Sequence, residues 1–288
     1  MSRYTVDIPH LEVLSIRTPR QSVISERDDV DLVVIGLNLA FSIDNPMRTP
    51  TELIKTCGFC GHFFVRCASC SLSNLTSFQG GPLVCHRYRV IYTDGSCLDN
   101  GTANAAAGVG IAFGTKTKAR SWMLVGEDPT GQRDNHTNQR AELLAAIHGI
   151  QSIDNWTSTN RPRPDRKSHE EKRIMMWVVT TDSEYVVKGM TKWLPKWKVG
   201  GPAFSIPSAD LVPLQNNNMR ASNGRRPDNL DLFLRLESLI TDRKQNKGIA
   251  IYFWRIPREY NSIADGLAEK GAKTAQALRR VQENNTML

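Results

Sequence analysis

The sequence predicts an α/β fold in which a mixed five-stranded sheet carries helices on both faces. Residues 87–125 contain three β-branched or apolar runs separated by short polar turns, which is typical of an antiparallel meander. Residues 174–181 form a continuous apolar run, which indicates a central parallel strand buried on both faces. Apolar residues at helical spacing occupy much of the remaining sequence, so strands and helices alternate along the second half.

The predicted elements follow the order β-β-β-α-β-α-α-β-α. Strands are expected at residues 87–93, 105–113, 121–125, 174–181 and 249–256. Helices are expected at residues 137–153, 183–198, 229–247 and 263–278. Thr137 suits the N-cap of the first helix, which carries Leu143, Ile147 and Ile150 on one face. Two polar stretches, at 155–173 and 200–223, are interpreted as surface insertions.

The pattern of apolar residues divides the chain into three parts. Residues 1–86 show little regular apolar periodicity and are predicted to form a small irregular N-terminal region. Residues 87–276 are predicted to form the α/β domain, and residues 277–288 a tail. The net charge of +8 favours a polyanionic partner such as nucleic acid.

The location of the protein is predicted from what the sequence lacks. The longest apolar stretch, residues 30–43, contains Asp31 and Asn38 and is too short to cross a bilayer. The N-terminal residues lack the apolar core of a secretory signal, and the cysteines are then expected as thiols. We therefore expect an intracellular monomer, in nucleus or cytoplasm, with no membrane partner.

Four acids stand at the ends of predicted elements. Asp94 and Asp182 close two strands, while Glu142 and Asp265 lie near the starts of two helices. Each alone could be a turn, a cap or a solvated helix residue, but the four together can converge on one edge of the sheet. Crowded carboxylates favour a hard divalent cation, Mg²⁺ or Mn²⁺ rather than Zn²⁺. Two such ions can activate water and stabilise the leaving oxygen in phosphodiester cleavage.

The strings around these acids resemble a known family. They read Tyr-Thr-Asp-Gly-Ser at 92–96, Thr-Asn-Gln-Arg-Ala-Glu-Leu at 137–143, Thr-Asp-Ser-Glu-Tyr-Val at 181–186 and Ala-Asp-x-Leu-Ala at 264–268. In this order they resemble the motifs of type 1 ribonuclease H, across Tyr88 to Lys273. The resemblance implies a ribonuclease H-like fold, two metal ions on the four carboxylates, and hydrolysis of the RNA strand of RNA–DNA hybrids to 5′-phosphate and 3′-hydroxyl ends.

The resemblance also implies which residues contact the hybrid. The RNA-side contacts correspond to Cys97, Asn100, Asn138 and Gln139, of which the Asn and Gln amides suit a 2′-hydroxyl. The DNA side corresponds to the segment 188–198, which has four lysines, two tryptophans and no acid. Its predicted contacts, with one residue that follows, are Lys192, Trp193, Lys196, Trp197, Lys198 and Asn229. Two plainer interpretations stay open: a simple turn at Asn100, and a core-facing stripe of the two tryptophans.

One feature departs from the family pattern. Many members carry a histidine in a loop before the last aspartate, whereas residues 254–260 contain none. The sequence resembles a His-less subgroup, in which Arg258 can assist the scissile phosphate or the release of metal. A module that binds nucleic acid without cutting it, and an enzyme that acts on another polynucleotide, are the alternative functions.

Four cysteines form a second motif, C-x₂-C-x₆-C-x₂-C. They are Cys57, Cys60, Cys67 and Cys70. Two such pairs can supply the four thiolates of a structural Zn²⁺ site, with His62 as a substitute ligand. Four unligated thiols are the alternative.

Overall fold

The computed structural model describes residues 49–57, 60–65, 88–102, 104–115, 119–124, 136–159, 175–199 and 219–286. The strands are β1 (Ile54–Thr56), β2 (Phe63–Val65), β3 (Tyr88–Leu98), β4 (Ala106–Ala112), β5 (Ala119–Leu124), β6 (Met175–Thr181) and β7 (Ile249–Arg255). The helices are α1 (Pro50–Leu53), α2 (Asn138–Thr159), α3 (Glu184–Lys188), a π-helix (Gly189–Trp193), α4 (Leu194–Val199), α5 (Leu230–Lys247), a 3₁₀ turn (Arg258–Tyr260) and α6 (Ser262–Thr286).

The strands form one mixed sheet, as the sequence predicts. Strand β3 pairs in parallel with β6, which pairs in parallel with β7. On its other side β3 pairs antiparallel with β4, and β4 with β5. Tyr92 is opposite Thr180 in the β3–β6 register. Because parallel strands run in the same direction, Asp94 and Asp182, two residues further along each chain, reach the same edge of the sheet.

The number of strands differs from the prediction. Within the described residues the sheet has seven strands rather than five, because β1 and β2 form an antiparallel hairpin on it. Phe64 pairs with Arg89 of β3, and the Phe63 backbone N–H donates to the Phe113 carbonyl at 3.0 Å. The hairpin thus occupies the part of the β3 edge that β4, which begins its pairing at Tyr92, leaves uncovered.

Part of the expected irregular N-terminal region is therefore ordered sheet. Each hairpin strand has only three residues, which is too short for an alternating apolar pattern to stand out. Residues 1–48 and 66–87 lie outside the described residues, so the division at residue 86 stays a prediction.

Three predicted helices differ in extent or regularity. Helix α2 continues to Thr159 and α6 to Thr286, so residues 277–286 of the expected tail are helical. The helix expected at 183–198 is interrupted by the π-helix, in which Gly189 lies against the ring of Phe233. Within the two predicted insertions, residues 160–173 and 200–218 lie outside the described residues.

Helices cover both faces of the sheet, as predicted. On one face α2 buries Ile147 and Ile150 against Ile91, Trp177 and Val179. Alternate residues of the same strands point to the other face, where α6 packs over them. A Cβ at Gly110 would overlap the carbonyl oxygen of Ala264, so glycine lets α6 approach β4 closely. None of the helices within the described ranges is long and apolar enough to span a bilayer.

We predict that the hairpin contributes strongly to the stability of the domain. The Phe64 side chain is 0% exposed, so Phe64→Ala should lower the free energy of unfolding by about 3–5 kcal/mol through lost burial and a cavity. Urea denaturation measures the change. Thr51→Ala, in the exposed part of α1, is the control and should change stability by less than about 0.5 kcal/mol. A loss below about 1 kcal/mol for Phe64→Ala would show that the hairpin is peripheral.

Candidate active site

Three of the four predicted carboxylates meet at the edge of the sheet. Ligand oxygens of Asp94, Glu142 and Asp182 all lie within 4.8 Å of one another. Asp182 directly follows β6, and Glu142 begins the second turn of α2. Asp94 lies within β3, because that strand continues past its predicted end at Thr93. The interpretation of Asp94 as a turn residue is therefore wrong: the next residue continues the ladder opposite Val109.

Gly95 explains how Glu142 reaches the other acids. A Cβ at Gly95 would overlap the carbonyl carbon of Ala141 and the backbone nitrogen of Glu142. Only glycine therefore lets the first turns of α2 lie directly on β3. The Gly95 backbone N–H also donates to the Glu142 carboxylate, which partly offsets the effects that raise its pKa.

Burial and mutual repulsion raise the pKa values of two of these acids. Burial raises the pKa of Asp94 to about 9, with further increases from the charges of Glu142 and Asp182. Burial likewise raises the pKa of Glu142 to about 8, and the charge of Asp182 adds to it. The Oε2 atom of Glu142 is buried and lacks a hydrogen-bond partner in the described residues. An oxygen-rich, buried and repulsive cluster of this kind fits a hard divalent cation.

Asp265 stands at the more open side of the cluster. It is not one of the three acids within 4.8 Å of one another, but its charge raises the pKa of both Asp94 and Glu142. Its Oδ1 accepts a hydrogen bond from Arg258 Nη2 at 2.5 Å. The Arg258 side chain is 77% exposed, and the charge of Asp265, followed by those of Asp182 and Asp94, raises its pKa. Arg258, which the sequence analysis predicts to act near the scissile phosphate, thus lies beside the carboxylates.

Asn261 is a site residue that the sequence analysis missed. It is 0% exposed, and its Nδ2 donates to Asp182 Oδ1 at 2.8 Å, to Asp94 Oδ1 at 3.4 Å and to the Thr93 carbonyl at 3.1 Å. The Asn261 backbone carbonyl accepts from the Asp265 backbone N–H at 3.0 Å. An asparagine just before a helix suggests a cap, and that signal hides its contact with the carboxylates.

The predicted RNA-side residues lie together beside this site. Asn138 Oδ1 accepts from the Cys97 backbone N–H at 2.9 Å, and Asn100 Oδ1 accepts from the Asn138 backbone N–H at 3.1 Å. These two bonds join the end of β3 and the loop after it to the first turn of α2. Asn100, Asn138 and the neighbouring Gln139 are exposed. Asn100 is therefore more than a simple turn residue, since its side chain links two elements.

The predicted DNA-side tryptophans pack partly on the core. Their rings lie 6.3 Å apart, with Trp193 also 5.6 Å from Tyr185 and Trp197 5.5 Å from Phe233. Both tryptophans are half-buried. One side of this aromatic pair thus supports the domain, in agreement with the core-facing interpretation, while the remainder is accessible.

The predicted lysines surround the tryptophans. Lys196 and Lys198 are exposed and Lys192 is half-buried. Lys198 forms an ion pair with Glu237, which holds it near the middle of α5.

Asn229 is committed to a hydrogen-bond network. Its Nδ2 donates to the Tyr185 hydroxyl at 3.0 Å, and its Oδ1 accepts from Arg140 Nη1 at 3.3 Å. Arg140 also pairs with Asp231 at 3.2 Å. Asn229 has a φ of 56°, a left-handed conformation that such a network can hold. Its predicted contact with substrate stays a prediction.

The cysteine motif is only partly within the described residues. Cys57 and Cys60 lie in the turn between β1 and β2, whereas Cys67 and Cys70 lie outside the described residues. Burial raises the pKa of Cys60, whose thiol is hydrogen bonded to Cys57. Within the described ranges the three-carboxylate cluster is the only group of three or more His, Cys, Asp or Glu placed to hold a metal.

We predict that the metal-free protein loses stability as the pH rises. Asp94 and Glu142 keep protons in the folded chain up to a pH of about 8–9, whereas their ordinary pKa values are 3.8 and 4.5. Between about pH 4 and pH 9 the unfolded chain therefore binds fewer protons, and the free energy of unfolding falls with increasing pH. Asp94→Asn should flatten this dependence and raise stability at pH 8 by at least about 1 kcal/mol.

Urea denaturation in EDTA at pH 5 and pH 8 tests this prediction. Mg²⁺ should stabilise the wild type at pH 8 and leave Asp94→Asn almost unchanged. Glu269→Gln, which removes an exposed acid of α6, is the control and should keep the slope of the wild type. A wild type that gains stability from pH 5 to pH 8 would contradict the prediction.

Comparison with known proteins identifies the family. The family profile of RNase H matches residues 86–273. Ribonuclease H of Schizosaccharomyces pombe is 30% identical over 191 residues, which cover 66% of this chain and 55% of that protein. Ribonuclease H1 of Mus musculus is 28% identical over 191 residues, covering 65% and 51%.

Solved structures show a weaker likeness. The LC11-RNase H1 structure in complex with RNA/DNA hybrid has a TM-score of 0.38 and 19% identity, covering 65% of this chain and 97% of that one. The chain spans about half the length of the curated relatives it matches. Since the family profile covers well over half of the sequence, the chain belongs to the RNase H family.

Proposed function

We propose that this chain is an endoribonuclease that hydrolyses the RNA strand of RNA–DNA hybrids and leaves 5′-phosphate and 3′-hydroxyl ends. The observation that carries the proposal is the partly buried cluster of Asp94, Glu142 and Asp182, with the Asn100–Asn138 link beside it. A divalent-cation site next to exposed amides that suit a 2′-hydroxyl is the combination that cleavage of a hybrid needs.

The metal in this proposal is Mg²⁺ or Mn²⁺, as two ions. Asp94, Glu142 and Asp182 would hold them together with Asp265, since carboxylate oxygens suit hard cations and the unpartnered Oε2 of Glu142 is available as a ligand. When bound, the ions supply activation of water and stabilisation of the leaving oxygen.

The chain's own residues position and balance this cluster. Asn261 holds the Asp94 and Asp182 carboxylates by donating to both, which orients their other oxygens. Arg258 offsets the charge of Asp265 and, being exposed, can turn to a phosphate of the substrate. We propose that Arg258, when turned to the phosphate, takes the role that the loop histidine has in other family members.

The hybrid would be held on two sides of the carboxylates. Cys97, Asn100, Asn138 and Gln139 would face the RNA strand, because their backbone and amide groups can bind 2′-hydroxyls across the minor groove. The accessible part of the tryptophan pair and the exposed lysines around it would face the DNA strand, where amines meet phosphates. This second contact set comprises Lys192, Trp193, Lys196, Trp197, Lys198 and Asn229.

We predict metal-dependent cleavage of the RNA strand in a labelled RNA–DNA hybrid. Single-stranded RNA and duplex DNA should stay intact, and EDTA should stop the reaction. Asp94→Asn should lower the rate by at least about a hundredfold, because it removes a carboxylate ligand from the centre of the site. Gel analysis of the end-labelled strands measures the cleavage and identifies the ends.

Two comparisons make this experiment decisive. Glu259→Gln removes an exposed acid next to Arg258 and should cut like the wild type. Loss of cutting in Asp94→Asn alone then excludes both a contaminating nuclease and a general charge effect. If the wild type binds the hybrid but leaves it intact in both Mg²⁺ and Mn²⁺, the chain is a binding module instead. Equal cutting of duplex DNA would favour another polynucleotide as substrate.

We also propose a structural Zn²⁺ site at Cys57, Cys60, Cys67 and Cys70. Its support is the tight turn that carries the first pair: the Gly61 backbone N–H donates to the Cys57 carbonyl at 2.7 Å, and the Cys57 N–H to the His62 carbonyl at 2.8 Å. This turn brings the thiols of Cys57 and Cys60 into contact, as two ligands of one metal require.

The zinc proposal predicts one Zn²⁺ per chain by elemental analysis of protein purified without chelator. Cys57→Ser and Cys60→Ser should each lose the metal and lower the melting temperature, whereas Cys97→Ser, which is far along the chain from the motif, should retain it. Zinc-free protein recovered after expression with added zinc would contradict the site.

An intracellular location, in nucleus or cytoplasm, and a monomeric state stay predictions.

A further inference from the structure

The loop that follows β3 has an unusual conformation at Asp99. Its φ is 52°, in the left-handed region that residues other than glycine rarely adopt. The Asp99 carbonyl accepts from the Thr102 backbone N–H at 3.1 Å and from the Thr102 hydroxyl at 2.8 Å, which closes a tight turn over residues 99–102. Asn100, whose side chain reaches α2, lies inside this turn.

A residue of the distant helix α6 holds this turn from outside. Gln276 Nε2 donates to Asp99 Oδ2 at 2.8 Å across 177 positions of sequence. The turn of α6 that leads to Gln276 is anchored by buried Ala272 and Ala275. Arg279, one turn further, lies close enough for its charge to lower the pKa of Cys97. This turn of α6 therefore lies beside the loop.

We infer that Gln276 is a positioning residue for recognition of the RNA strand, through Asp99 and the 99–102 turn. The inference rests on the proposed function. The bond restrains a turn that would otherwise relax from the left-handed conformation, and with it the orientation of Asn100 and its link to Asn138. The carboxylates are held separately, by Asn261 and by the close approach at Gly95. Loss of the Gln276 bond should therefore weaken binding of the hybrid and leave the chemical step unchanged.

The test exchanges donor and acceptor across the bond. Gln276→Glu places two carboxylates face to face, and Gln276→Leu removes the donor. Asp99→Asn keeps an acceptor and tolerates the left-handed conformation, so it is the single variant that retains the bond from Gln276. In the double variant Gln276→Glu/Asp99→Asn the asparagine can donate to the glutamate, which restores the bond with reversed polarity.

Steady-state kinetics on the hybrid is the first readout. Gln276→Glu and Gln276→Leu should raise KM by about three- to tenfold, with kcat within about twofold of the wild type. The double variant should return KM to within about twofold of the wild type. Lys273→Gln, which removes an exposed ion pair with Glu269 on the same helix, is the matched control and should leave both constants unchanged.

Amide hydrogen exchange of the substrate-free protein is the second readout. The Thr102 N–H should exchange several-fold faster in Gln276→Glu than in the wild type and recover in the double variant, with the core of the sheet unaffected. A wild type that neither binds nor cuts the hybrid would overturn the proposed function, while the exchange data would still report on the turn. Unchanged KM and unchanged Thr102 exchange in Gln276→Glu, or no recovery in the double variant, would overturn the inference.

Discussion

The repulsion among Asp94, Glu142 and Asp182 is the constraint around which the domain is built. In this partly buried site burial and mutual repulsion raise the pKa values of Asp94 and Glu142 far above their ordinary values, so assembling the acids without a cation costs stability. The parallel register of β3 and β6 brings two of them to one edge, and the side-chain-free surface at Gly95 admits the third. Both the strand register and the close contact at Gly95 are made by the backbone, so movement of surface side chains does not change the arrangement of the acids.

The fold offsets this cost by burying apolar surface on both faces of the same strands. Ile91 and Val179 pack under α2, while the alternate residues Val90 and Val178 pack on the opposite face. The β1–β2 hairpin extends this burial beyond the end of β4, since Phe64 is fully enclosed. Apolar burial across the whole sheet therefore offsets the repulsion among the carboxylates at its edge. Functional sites commonly lower stability in this way and are compensated elsewhere in the fold.

The sequence predicts the order of the elements from residue 87 onward and the convergence of the acids, because both follow from periodicity and from element ends. It does not reveal the hairpin, since two strands of three residues carry no readable alternation. Asn261 escapes for a different reason: an asparagine before a helix has an ordinary local explanation, and only the tertiary fold shows that its amide bridges two carboxylates. Asn229 shows the opposite case. The sequence predicts that it contacts the substrate, but the fold engages both of its side-chain polar atoms with Tyr185 and Arg140.

Helix α6 connects the carboxylate cluster to the loop that we propose reads the RNA strand. Asn261, the residue just before the helix, bridges Asp94 and Asp182, and Gln276, about 22 Å further along the helix axis, holds the turn at Asp99. Both contacts reach strand β3 or the loop that directly follows it, so one helix spans the strand that carries Asp94 and the turn that carries Asn100. Because a helix resists bending far more than a loop does, the contacts of Asn261, just before the helix, and of Gln276, within it, restrain the distance between the carboxylates and the Asn100 amide. Displacement of α6 would therefore disturb binding and catalysis together, whereas loss of either contact alone would separate them.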